Sequence, residues 1–143
     1  MKNPLVLQVL SIVGTVLVLF PVGFMVAISL PQLFTGEEFL MDFLLPAELG
    51  FLVIGGAVLL LLGTWPSKPD RIRILLGIAV AVASVIFASL VAALSGLADG
   101  TIGEDSWQFY LAAGFFVLYD LSTVWMGVVG IRYVVGLFHR KPA

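Results

Sequence analysis

The sequence predicts an all-α membrane protein: four transmembrane helices in an up-down-up-down bundle, with a short outer interfacial helix before the second. Three observations carry this expectation. The 143 residues are 61% hydrophobic and only 11% charged, where soluble domains carry about 25% charged residues, and the mean hydropathy is +1.15. Four apolar runs follow one another at residues 4–30, 47–64, 74–98 and 107–137, each near the roughly 20 residues that cross a hydrocarbon layer as a helix. Unbroken runs such as LVIGGAVLLLLG lack the in-out alternation of barrel strands, which leaves helices as the structure that satisfies every backbone group in lipid. Residues 1–143 read as one such domain.

The first run begins after Lys2, and Ala27-Ile28-Ser29 resembles a small-residue cleavage site. The apolar stretch from Pro4 to Leu30 far exceeds the roughly 7 to 15 apolar residues of a secretory leader, so it is expected to stay as a helix. Beyond it, Thr35-Gly36-Glu37-Glu38 fits a capping box with Thr35 as N-cap. That box opens FLMDFLLPAELGF, where Pro46 removes a donor and predicts a break. Residues 37–45 are therefore expected to lie along the outer interface before the chain turns inward at Ala47, with Glu48 at the mouth of the second helix.

Trp65-Pro66 ends the second run, and residues 67–73 are expected to form a short inner turn. In the third run Gly77, Ala81, Ser84, Ala88, Ala92 and Ser95 recur at spacings of three and four, a stripe of small side chains on one face. Gly55, Gly56 and Gly63 in the second run and Gly127 and Gly130 in the fourth offer matching surfaces. Helices in lipid associate by packing rather than by expulsion from water, so small faces let backbones approach. The same logic serves packing within one bundle, the expected use, or a homodimer seam. Asp105-Ser106-Trp107-Gln108 supplies a polar cap and an aromatic belt residue for the fourth helix.

Charge predicts orientation. The connections after the first and third helices hold Glu37, Glu38, Asp42, Glu48, Asp99, Glu104 and Asp105 without a Lys or Arg. The other side takes Lys2, Lys68, Arg71, Arg73, Arg132, Arg140 and Lys141. Basic residues in short loops stay cytoplasmic, which places both termini inside a plasma membrane. These bases then lie against the inner leaflet as lipid anchors, and no nucleic-acid partner is expected.

No cysteine is present, which removes disulfides, thiolate nucleophiles and iron-sulfur ligation. The single His139 stands beside Arg140 past the fourth run, as a solvated tail residue rather than a ligand. Glu37, Glu38 and Asp42 lack the rest of a metal ligand set. No metal, cofactor or enzymatic activity is expected. The early buried Glu of small multidrug carriers, the paired cysteines of quinone reductases and the haem-ligating histidines of membrane anchor subunits have no counterpart in the sequence.

One carboxylate stands apart. Asp120 lies within FVLYDLSTVW, about 20 Å inward from Trp107 at ~1.5 Å per residue and so near the midplane. An ionised carboxylate at that depth costs about 2.5 to 3.5 kcal/mol on insertion scales and needs a partner, water or a proton. No base of the chain shares its depth; Arg132 is twelve residues away. With antiparallel neighbours, Thr15, Ser84 and Thr123 are the expected companions of Asp120 in a polar midplane layer, near the level of Gly55 and Gly56. Thr123 shares the face of Asp120 and Gly127, while Ser122 points elsewhere and is expected to bond its own backbone. The sequence reading is a structural or accessory subunit whose partners are the bilayer and either another membrane protein or a second copy. The alternative is a small transporter or proton-coupled carrier built on Asp120.

Overall fold

The computed structural model of the protein describes residues 4–35, 47–103 and 105–139, with side chains described for 5–27, 49–103 and 105–139. It is all-helical across these residues: α1 (Pro4–Thr35), α2 (Ala47–Gly63), α3 (Lys68–Ser95) and α4 (Trp107–His139). Stretches of α1, α3 and α4 are long and apolar enough to cross a membrane, and α2 is a shorter apolar helix of 17 residues. The sequence expectation of four membrane-length runs is thus met by three helices. The expected interfacial helix over 37–45, Pro46, Glu104 and the terminal bases Lys2, Arg140 and Lys141 lie outside the described residues, as does the Glu48 side chain.

Helix boundaries differ from the apolar runs where capping chemistry overrides hydropathy. α3 begins at Lys68 rather than at 74. Ser67 takes the N-cap position with extended backbone, a proline fills the first turn, where its missing N–H costs nothing, and Asp70 sits near the positive helix end. The Ser67 hydroxyl donates to Asp70 Oδ2 at 2.5 Å and Arg73 pairs with Asp70 Oδ1 at 3.3 Å. The far end stops at Ser95 because Gly96 turns left-handed, with φ +80°. The Ala98 amide then returns to the Ala92 carbonyl and the Thr101 amide to the Gly96 carbonyl, each at 3.0 Å. α1 runs on through Pro31 to Thr35, past the expected end at residue 30. At the start of α4 the Phe109 amide donates to the Ser106 hydroxyl at 3.4 Å, so the expected polar cap is in place.

Two helix pairs, α1 with α2 and α3 with α4, are joined to each other mainly along α1 and α4. Contacts step in opposite directions in each pairing. Ser11 meets Gly63, Gly14 meets Leu60 and Val18 meets Gly56 between α1 and α2; Gly77 meets Met126 and Phe87 stacks on Phe115 at 5.6 Å between α3 and α4; Thr15 meets Gly130 and Leu19 meets Gly127 between α1 and α4. α2 and α3 are chain neighbours through the turn at 64–67, yet they share little contact. The core draws on all four helices, around Val18, Leu60, Ile74 and Met126. The outward faces remain apolar, with Phe51, Ile54, Leu94, Leu121 and Phe138 all exposed.

Glycine does the packing that the apolar rows alone do not specify. Gly56, Gly77 and Gly127 each lie against a neighbouring helix, and Ala81 and Ala88 are buried, so the small residues serve contacts within this chain. Ala92 is half-buried. Gly55 faces open space, with no atom in reach of an added Cβ. Gly14 and Ser11, which the sequence reading passed over, supply the α1 side of its seam with α2.

Candidate functional site

α4 is the helix on which the unusual chemistry is carried, because it contacts both α1 and α3 and lines the space before α2. Its buried face runs through Tyr119, Ser122, Thr123, Met126, Gly127 and Gly130. Asp120 lies beside this face and is half-buried. It stands two turns from Gly127, whose neighbour is Leu19, and therefore on the α1 side of α4. Among the described residues no hydrogen bond or ion pair reaches its carboxylate.

The expected companions are placed as follows. Thr15 abuts Gly130, ten residues from Asp120 and so about 15 Å further along α4. Ser84 is buried on the α3 face turned toward α4, and Thr123 is buried on α4 itself. Each hydroxyl is committed to its own helix. Thr15 donates to the Ser11 carbonyl at 2.7 Å, Ser84 to that of Val80 at 2.8 Å, and Thr123 to that of Tyr119 at 3.0 Å. Ser122 is buried as well, and donates to the same Tyr119 carbonyl at 2.7 Å. Ser11 and Thr64 follow the pattern, bonding Leu7 and Leu60 at 2.8 Å. A hydroxyl that returns to a carbonyl three or four residues back is satisfied without a partner helix. Asp120, Thr15, Ser84 and Thr123 therefore share neither a hydrogen-bond network nor, for Thr15, a common depth.

The second feature is a cleft. Because α2 and α3 splay apart from their turn, a cavity of about 620 Å³ opens between them, floored by Phe116, Tyr119 and Met126 of α4. Its walls are Val53, Ala57 and neighbours on α2 and Ile78, Val82 and neighbours on α3, with no charged side chain among them. No sequence signal marked it, since every wall position is apolar in a chain that is apolar throughout.

The third feature is the basic end. The Arg71 guanidinium lies 4.9 Å over the Trp65 ring, a cation–π contact at the base of the α2–α3 splay. Lys68 and Arg73 share that end, and Arg132 on α4 lies near it, as the Gly77–Met126 register requires. Asp99 and Asp105 occupy the opposite connection. The His139 Nδ1 lies 2.9 Å from the Val135 carbonyl, on the exposed end of α4. Among the described residues no three His, Cys, Asp or Glu side chains gather as metal ligands.

The chain matches no protein-family model, no curated protein and no solved structure.

Proposed function

We propose that this protein is a structural or accessory subunit of a membrane assembly, a four-pass up-down-up-down bundle without enzymatic activity. The observation that carries the reading is the contrast between Asp120 and the buried hydroxyls. The buried hydroxyls of Ser11, Thr15, Thr64, Ser84, Ser122 and Thr123 are all bonded to their own helices, so they line no continuous polar path. Asp120 is half-buried and lacks a partner among the described residues. An unpaired acid at membrane depth calls for a base or donor, and another chain packed on the α1 side of α4 is the source this reading names.

The plasma membrane, with both termini cytoplasmic, is the location this reading takes. Its support is the gathering of Lys68, Arg71, Arg73 and Arg132 at one end, with Asp99 and Asp105 at the other. The bilayer is the first partner, and a second membrane protein the other.

Gentle extraction from native membranes followed by native mass spectrometry tests the reading. A foreign chain held in fixed stoichiometry is expected. A homomer without any companion would sink the accessory role and favour the second reading, a small proton-coupled carrier titrating at Asp120. The observation favouring that reading is the same half-exposed carboxylate, and its signature would be pH-dependent flux lost in Asp120→Asn.

A further inference from the structure

The Trp65–Arg71 pair and the α2–α3 cleft lie on one line. On α3, Arg71, Leu75, Ile78, Val82 and Val85 recur at spacings of four and three, one continuous stripe. On α2, Ile54, Val58, Leu61 and Trp65 do the same. The two stripes that wall the cleft thus run down to a cation stacked on an indole. Arg73 is paired with Asp70, whereas Arg71 and Lys68 have no carboxylate partner among the described residues. Ile78 and Ile86, which bound the cleft on α3, lie roughly 10 and 22 Å beyond Arg71 along the helix. A lipid whose head group sits at Arg71 carries its tail past Ile78 into the near half of the cleft and ends short of Ile86, since one leaflet contributes about half of a ~30 Å hydrocarbon layer.

Wall chemistry and the charge at the cleft's end point to the occupant. The cleft's lack of charged walls suits a saturated hydrocarbon, and the Arg71 guanidinium that ends its α3 stripe, with Lys68 one turn away, suits an anion.

We propose that the α2–α3 cleft is a binding site for one anionic phospholipid, with an acyl chain between Val53, Ala57, Ile78 and Val82 and the head-group phosphate at Arg71 and Lys68. Trp65 holds the guanidinium at the interface, and Met126 and Tyr119 form the floor on which the chain rests. The site rests on the membrane-spanning reading but not on the accessory role. A lipid in this position fills the space that the splay leaves open and ties the two helix pairs together on the side away from α1.

The test is lipid retention by the whole purified protein. Protein reconstituted in vesicles of equal parts phosphatidylglycerol and phosphatidylcholine, with identical chains, is extracted in mild detergent and weighed by native mass spectrometry. One phosphatidylglycerol per chain is expected to remain. Arg71→Ala and Lys68→Ala should each weaken its retention about five-fold. Ile54→Trp with Val82→Trp, bulk added at two exposed wall positions, should remove the bound lipid while the helical signal persists. Equal retention of both lipids, or retention unchanged in the double Trp variant, would overturn the site. So would a second chain, foreign or identical, crosslinking into the cleft in place of lipid. Protein that fails to enter vesicles would overturn the membrane reading and the site together, whereas a companion chain elsewhere on the surface leaves the site standing.

Discussion

Gly14 and Gly56 meet backbone to backbone. A Cβ on Gly14 would stand 2.8 Å from the Gly56 carbonyl oxygen, and a Cβ on Gly56 would stand 2.9 Å from that of Gly14. The Leu60 amide nitrogen and the Val18 amide nitrogen crowd the same two positions at 2.5 and 2.8 Å. Main-chain atoms cannot swing aside, so the seam between α1 and α2 exists at this separation only because both residues lack a side chain.

Gly14→Ala and Gly56→Ala are therefore each expected to destabilise the bundle by about 1 to 3 kcal/mol, the usual cost of forcing a methyl into a filled contact. Gly55→Ala, one residue away and facing open space, should leave stability unchanged or slightly raised, because alanine is the better helix former by about 1 kcal/mol. Unfolding of the three variants in detergent, followed by circular dichroism, checks the order.

At Gly77 the obstacle is softer, since an added Cβ meets the Met126 side chain rather than backbone. Methionine has three rotatable bonds and can retreat. Gly77→Ala should cost less than Gly56→Ala in the same unfolding assay, and pairing it with Met126→Ala should produce a coupling of about 0.5 kcal/mol or more.

Thr15→Val, Ser84→Ala and Thr123→Val should each change stability by less than about 1 kcal/mol, because a hydroxyl bonded to its own helix adds little to association between helices. A loss well above that for Thr123→Val would reveal a polar tie to another helix. Unfolding midpoints of the three variants distinguish the outcomes.

Asp120→Leu is expected to leave the isolated bundle within about 1 kcal/mol of the parent, as no partner group in the described residues is orphaned by its loss. In the assembled state the same change should weaken retention of a companion chain at least ten-fold, since truncating one member of a buried charged pair costs about 2 to 5 kcal/mol. Comparing monomer unfolding with co-purification yield separates the two effects.

Gly96 has φ +80°, and an added Cβ there would meet the Thr101 hydroxyl. Gly96→Ala should lower stability by about 1 to 2 kcal/mol, the cost of a left-handed backbone for a residue with a side chain. The change should appear as earlier hydrogen exchange at the Ala98 and Thr101 amides, which the turn protects.

The helices were legible because their apolar runs are long and two of their ends carry Trp65-Pro66 and Ser106, residues with local stop or start chemistry, whereas the stop at Gly96 was not read and the third run was carried on to residue 98. The α3 stripe of Gly77, Ala81, Ser84 and Ala88 was legible too, since the spacing of small residues defines a face without knowledge of the neighbour. Gly55 and Gly56 show where this reasoning ends. They are identical and adjacent, yet one is packed and the other open, and only the rotation of α2 against α1 decides which. Depth along a helix is set the same way. Thr15 was placed level with Asp120 by running antiparallel helices past one another, and the contact of Thr15 with Gly130 is a register that only the packed glycines define. The α2–α3 cleft had no sequence signal, because a gap is a property of helix directions and its lining has the composition of any lipid-facing surface.

α2 has 17 residues, a rod of roughly 25 Å at ~1.5 Å per residue. The hydrocarbon of an average bilayer is about 30 Å thick, and that of a sterol-rich membrane a few Å more. If the described 17 residues of α2 are the whole of a span, it would thin the lipid around it or draw flanking indoles such as Trp65 inward, at a fraction of a kcal/mol for each Å of mismatch. In the membrane-spanning reading its longer companions would ask for the opposite adjustment and meet a thin bilayer by tilting. A bundle inserted in that way would deform lipid unevenly around its circumference, with a dimple on the α2 side, and thin membranes or thinned rims beside other proteins would be the places where that strain is least.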